Sequence, residues 1–237
     1  MTNETKVAKI GMLCWETGQV PMGLRQLEAL VGNSTNPASY AFPVRFHPVS
    51  GANVHSILES PDSAVLRTMI ADARTMASEG IKAITTSCGF NAIFQQELAE
   101  AVSVPVFTSS LLQVPFATRI HGPKSEICIL TANARALRPE HLSSVGIAST
   151  EGLHILGLER CEEWNRMFTE PDLEVDLAVI EQEVLDTTLR AMQEHPGIRA
   201  FVLECTDLPP YAAMIRRYSG LPVFDFVSMI NYLHSSL

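Results

Sequence analysis

Lysine is scarce in this chain, with four among 237 residues, at Lys6, Lys9, Lys82 and Lys124. That scarcity speaks against a pyridoxal cofactor, which needs a lysine for its Schiff base. A formal net charge of −9 speaks against nucleic acid or an anionic membrane as partner, since both select basic surfaces. No G-x-G-x-x-G turn and no Walker loop is present, which removes the usual cradles for a dinucleotide or a triphosphate. The seven histidines (47, 55, 121, 141, 154, 195 and 234) form no pair at ligand spacing with an acid or a cysteine, so no metal is expected. No apolar run approaches the roughly 18 residues of a membrane span, and the start, "MTNETKVAKIGMLCWETG", lacks the layout of a secretory leader. The five cysteines (14, 88, 128, 161 and 205) are odd in number, widely spaced and without a Cys-x-x-Cys pair, which speaks against a disulfide framework. A cytoplasmic protein working without cofactors is the expectation.

What the chain does have is a repeat. At an offset of 117, "GIKAITTSC" lies over "GIRAFVLEC", "VPVF" over "LPVF", and Ile10 over Ile127. From Gly80 and Gly197 onward, 28 ungapped columns contain seven identities, and Cys88 falls on Cys205. Strand-helix-strand periodicity alone does not produce that density of identities, so the chain reads as a duplication.

Each half alternates strand and helix. The first offers strands in "KIGMLCW", "FPVRFHPV", "KAITTS" and "PVFT", a helix from about Pro61 to Glu79 with Val65, Met69, Ala73 and Met76 on one face, and another from Asn91 to Val102. The second offers strands in "EICILT", "LHILGL", "AFVLE" and "PVFDF". Its long helix runs from about Leu173 to His195, with Leu177, Ile180, Val184, Leu185, Leu189 and Met192 as the apolar stripe. Such alternation predicts an α/β fold of two pseudo-symmetric flavodoxin-like domains. Each is a parallel sheet flanked by helices, with the active site in the cleft between them. The expected domains are residues 1–113 plus 224–237, and residues 114–223.

In open parallel sheets functional groups gather beyond the carboxyl ends of the strands, and Cys88 and Cys205 both fall there, each before a helix. Asn91 and Asp207 are the expected helix caps. Free amides and positive partial charge at a helix start favour a thiolate and hold a carboxylate beside it. Two thiols facing each other across a pseudo-twofold could remove a proton from one face of a carbon and return it to the other. Cys14, Cys128 and Cys161 read as packing residues.

At these residues the chain resembles the cofactor-independent aspartate/glutamate/hydantoin racemase superfamily, which includes maleate isomerases and arylmalonate decarboxylases. The resemblance is specific around "TTSCGFNA" and "LECTDLPPY". Cys205-Thr206-Asp207 fits the family's second motif, with Asp207 in place of its acidic helper. The first motif departs, because Cys88 is followed by Gly89-Phe90-Asn91 and not by Asn-Thr-Ala. The first strand ends in "CWETG" where glutamate racemases carry Asp-Ser-Gly. The resemblance implies Cys88 and Cys205 as catalytic groups. It implies Gly89, Phe90, Asn91, Thr131, Asn133, Thr206 and Asp207 as substrate-binding ones, and a C-terminal segment from about Phe224 that crosses back to the first unit.

The expected function is racemisation or epimerisation of an amino acid or another small carboxylate without a cofactor. Two other readings stand beside it: isomerisation or decarboxylation using one cysteine, and a carboxylate sensor with no chemistry. A homodimer is the commonest assembly to expect.

Overall fold

The computed structural model describes residues 7–18, 20–122 and 124–237. Strand β1 (Ile10–Cys14) is followed by helix α1 (Met22–Glu28), β2 (Val44–Pro48), α2 (Ser63–Ser78) and β3 (Ala83–Thr86). A 3-10 turn (Gly89–Phe94) then leads directly into α3 (Gln95–Ala101), β4 (Val106–Phe107) and α4 (Gln113–His121). The second half runs through β5 (Glu126–Thr131), α5 (Pro139–Ser144), β6 (Leu153–Gly157), α6 (Glu162–Thr169), α7 (Leu177–Glu194), β7 (Ile198–Leu203), α8 (Ala212–Ser219) and β8 (Val223–Phe224). Helix α9 (Phe226–Ser235) closes the chain.

All strand pairs are parallel, in two four-stranded sheets ordered β2-β1-β3-β4 and β6-β5-β7-β8. The duplication extends to hydrogen-bond register. Ile10 pairs with Ala83 as Ile127 pairs with Ala200, and Ile84 pairs with Val106 as Phe201 pairs with Val223, each shifted by 117. The offset drops to 109 at the outer strands, Val44 against Leu153, so the β1–β2 connection of the first half is eight residues longer. In both sheets the chain reverses direction of winding between the two central strands, which opens a crevice at their carboxyl ends.

Local chemistry explains the helices that frame this crevice. Asp62 caps α2 by accepting from Ala64 N at 2.7 Å, and Val65, Met69, Ala73 and Met76 form its buried stripe as the spacing predicts. Helix α7 starts at Leu177, four residues later than expected, because Asp176 accepts from the amides of Ala178 and Val179. Its buried face is Ile180, Val184, Thr187, Thr188 and Ala191. Leu185, Leu189 and Met192 are only half-buried, so the helix is turned from its most apolar orientation. Strand "PVFDF" stops at Phe224, since Asp225 caps α9 in a reciprocal box with Ser228.

The main core runs continuously through both sheets. A second cluster joins Phe226, Met229 and Ile230 of α9 to Ile10, Met12, Ala83 and Phe107, the alternate residues facing one side of the first sheet. The C-terminal helix therefore covers the first sheet although it follows the last strand of the second. Among the described residues, no helix is long and apolar enough to cross a membrane.

Candidate active site

The ends of β3 and β7 place the two cysteines. Thr86 Oγ1 donates to the Thr108 carbonyl at 2.7 Å and lies 3.0 Å from the Cys88 carbonyl, anchoring the first turn. Glu204 N donates to Leu130 O at 2.7 Å, and Ser110 Oγ donates to Leu203 O at 2.6 Å, fixing the second. The two turns are tied together by Thr206 Oγ1, which donates to the Ser87 carbonyl at 2.8 Å. Cys88 and Cys205, 7 % and 9 % exposed, line one cavity of about 40 Å³ together with Trp15, Glu28, Phe90, Phe168, Glu204 and Asp207. Both residues are buried, and both line this same cavity and no separate one.

Asn91 and Asp207 are not the caps the sequence suggests. Both cysteines are followed by 3-10 turns, Gly89–Phe94 and Pro209–Tyr211, with no side-chain cap. Asn91 lies inside the first turn, buried, its Oδ1 unpartnered. Asp207 instead accepts from Asn33 Nδ2 at 2.8 Å through Oδ1 and from Cys205 Sγ at 3.6 Å through Oδ2.

Thr131 is fully buried and donates to Glu204 Oε2 at 2.7 Å, so it acts on the cavity through that carboxyl. Asn133 turns its Oδ1 to the amides of Arg135 and Ala136 and lines a neighbouring pocket with Trp164 and Glu159. Gly89 lines the cavity with no room for a side chain, because a Cβ would run into the carbonyl and carboxyl of Glu204. Phe90 packs its ring edge-on against buried His141, 5.5 Å between centroids.

The expected depression of the thiol pKa does not occur. The turn amides do face the sulfurs, Phe90 and Asn91 at Cys88 and Asp207 at Cys205, and they pull in the lowering direction. Burial outweighs them, and the charges of Glu204 and Asp207 add to it, so both thiols are pushed well up. The carboxyls show the same imbalance. Burial raises Glu204 to about 7 against the Thr131 hydrogen bond. Burial and the Asp207 charge raise Glu28 to about 7, and burial raises Asp207 to about 6 despite its bonds to Asn33 and Cys205.

Five acidic groups thus share a cavity whose lining, among the described residues, contains no lysine, arginine or histidine. Such a site is short of positive charge. A ligand carrying a cation would lower every one of these pKa values together and release a thiolate where it is needed. Among the described residues, no cluster of three or more His, Cys, Asp or Glu is arranged to hold a metal.

Sequence reasoning missed Glu28, Asn33 and Glu204. Glu204 carried a signal, an acid ending the otherwise apolar strand "AFVLE" immediately before Cys205. Glu28 and Asn33 carried none, because only folding brings α1 and the loop after it to the second cysteine.

The chain has the fold of the aspartate/glutamate/hydantoin racemase superfamily. Allantoin racemase from Klebsiella pneumoniae superposes with a TM-score of 0.64 at 16 % identity, over 97 % of this chain and 88 % of that one. An aspartate racemase homologue from Pyrococcus horikoshii OT3 gives 0.57 at 17 % identity, over 94 % and 95 %. Arylmalonate decarboxylase gives 0.53 at 18 % identity, over 92 % and 87 %.

The sequence relatives carry a different kind of name. Dimethylsulfoniopropionate lyase from Durusdinium sp. clade D is 29 % identical over 209 residues, 86 % of this chain and 69 % of that protein. Dimethylsulfoniopropionate lyase 3 from Emiliania huxleyi (strain CCMP1516) is 30 % identical over 216 residues, 87 % of this chain and 56 % of that protein. The chain spans between 42 % and 69 % of the length of such relatives. No protein-family model matches it.

Proposed function

We propose that this chain is a cofactor-independent lyase that eliminates dimethyl sulfide from a β-sulfonio carboxylate of the dimethylsulfoniopropionate type. The observation that carries the reading is the cavity itself: two thiols and three carboxyls, with no cationic side chain among the described residues of its lining. A carboxylate substrate with no positive charge of its own would meet uncompensated repulsion there from the ionised acids. A sulfonium cation would be attracted to the acids, and the rings of Trp15 and Phe168 offer cation–π contact of about 0.5–2 kcal/mol each. The relatives' names point the same way.

Cys205 is the base in this reading, because its sulfur contacts the Asp207 carboxylate, which can take the thiol proton as substrate enters. The thiolate removes the α-proton. The released electron pair forms the Cα–Cβ double bond, and the Cβ–S bond breaks with its electrons going to sulfur. Neutral dimethyl sulfide and acrylate leave, and the proton left on the enzyme passes to water. No second acid is required, since the leaving group departs uncharged.

Two-base inversion is the second reading, favoured by one observation: both members of the duplicated cysteine pair line the same cavity. The test is direct. The purified chain is incubated in deuterated water with dimethylsulfoniopropionate, and separately with D and L forms of aspartate, glutamate and hydantoins. Equimolar dimethyl sulfide and acrylate support the lyase. Deuterium entering the α-carbon of an amino acid or hydantoin without cleavage supports the racemase, and binding without either product supports a sensor.

A further inference from the structure

Asn33 lies in the long β1–β2 connection of the first half, outside the cavity lining and fully buried. Its backbone is pinned on both sides: N donates to Leu30 O at 3.1 Å, while O accepts from Asn36 N at 3.2 Å and Ser39 Oγ at 2.6 Å. Its side-chain oxygen accepts from Thr35 N at 2.9 Å and Thr35 Oγ1 at 2.8 Å. A backbone amide can only donate, so the oxygen must face Thr35 and the amide nitrogen must face the other way. That nitrogen donates to Asp207 Oδ1 at 2.8 Å, across 174 residues of sequence.

We infer that Asn33 is a positioning residue for proton abstraction: its amide holds one oxygen of Asp207 so that the other is kept for the Cys205 thiol. The inference rests on the proton-abstraction reading above. Two features make the hold matter. Glu28, Cys88, Cys205 and Tyr211 all lie close enough to feel the Asp207 charge, and in their anionic forms they repel it. A carboxylate in such company turns away or takes up a proton unless a donor restrains it, and a neutral amide locked by Thr35 is a donor that does not itself titrate. The adjacent Ser34 reinforces the geometry, its N and Oγ both reaching the Thr206 carbonyl at 3.3 and 3.0 Å.

Asn33→Asp is the informative variant, because it keeps the acceptor for Thr35 and nearly the same shape while replacing the neutral donor with a second carboxyl beside Asp207. Two pH profiles are read on the intact chain: dimethyl sulfide release, and alkylation of Cys205 by iodoacetamide followed by peptide mass spectrometry. The acid limb of both is expected to move up by about one pH unit, with turnover at neutral pH falling about tenfold. The double variant Asn33→Asp/Asp207→Asn restores a donor–acceptor pair in the reverse sense, and is expected to recover melting temperature without recovering turnover. An alkylation limb that stays in place in Asn33→Asp overturns the inference, as does full turnover in the double variant. Should Asn33→Asp not fold, Thr35→Val loosens the same amide and should move the limb in the same direction by less; an unmoved limb there also overturns it. If the wild-type chain releases no dimethyl sulfide while the alkylation limb still moves, the lyase reading fails and the positioning role stands.

Discussion

The two cysteine turns occupy equivalent places and differ in almost everything else. In the 117-residue register, Ser87-Cys88-Gly89-Phe90 lies over Glu204-Cys205-Thr206-Asp207. A serine faces a glutamate, a glycine a threonine, and a phenyl ring a carboxyl. The first turn contributes shape: Gly89 lets Glu204 approach, and Phe90 fixes a wall against His141. The second contributes ionisable groups, with Asp207 in contact with the Cys205 thiol. The repeat sets up two symmetric positions, and among the described residues Cys205 is the member of the pair whose thiol donates to a carboxylate side chain, that of Asp207. A site of that kind suits a reaction with a single proton abstraction better than one that runs equally in both directions.

The sharpest way to break this comparison is to exchange each sulfur for oxygen. With Cys205 as the base, Cys205→Ser lowers dimethyl sulfide release by about 10³-fold or more, because a hydroxyl is a far weaker acid than a thiol. Cys88→Ser lowers it by about tenfold, through altered packing and field. Headspace gas chromatography measures both, and equal losses would mean that Cys88 takes as large a part in the elimination as Cys205.

The next largest effect is on stability. Glu204 titrates at about 7 in the fold against 4.5 when free, so between those values the folded chain keeps a proton that the unfolded chain has released. Its contribution is fully present below pH 4.5 and is lost as pH rises through 7, a change of about 3 kcal/mol. His141, lowered by burial to about 4, works oppositely over the same range: its contribution is full above 6.5 and lost as pH falls toward 4. Comparing urea unfolding of the wild type with Glu204→Gln separates the two. The variant should gain on the wild type from pH 4.5 to about 7, and parallel curves would contradict a buried, raised carboxyl.

Gly89→Ala and Thr206→Ala probe matched positions of the two turns. The first drives a methyl into Glu204 and should destabilise by about 2 kcal/mol, seen as a lower melting temperature. The second removes the hydrogen bond to Ser87 and should cost about 1 kcal/mol. Equal costs would mean that the turns tolerate substitution symmetrically, and a reversed order would mean that the first turn has room for a side chain.

Much of the fold was legible because its signals are local or repeated. The stripe on α2 follows from helical spacing, and the strand ends and the shared register follow from the repeat around Cys88 and Cys205. Asp207 was legible as a residue of interest but not in its role: a cap is the ordinary use of an aspartate before prolines, and only the approach of Asn33 turns it to the thiol. The pKa of the thiols was misjudged for a related reason. A helix start argues for lowering, yet how much water and how many other acids surround a sulfur depends on segments far away in the chain.

The amino-acid sequence by itself determined the duplicated α/β architecture and the placing of a cysteine at each matching strand end, because side-chain periodicity and strand–turn chemistry act between near neighbours. Only the tertiary structure decided what surrounds those cysteines. The gathering of Glu28, Asn33, Glu204 and Asp207 about one small cavity depends on the packing of one half against the other, and the field inside it is the sum of charges that the chain order keeps apart.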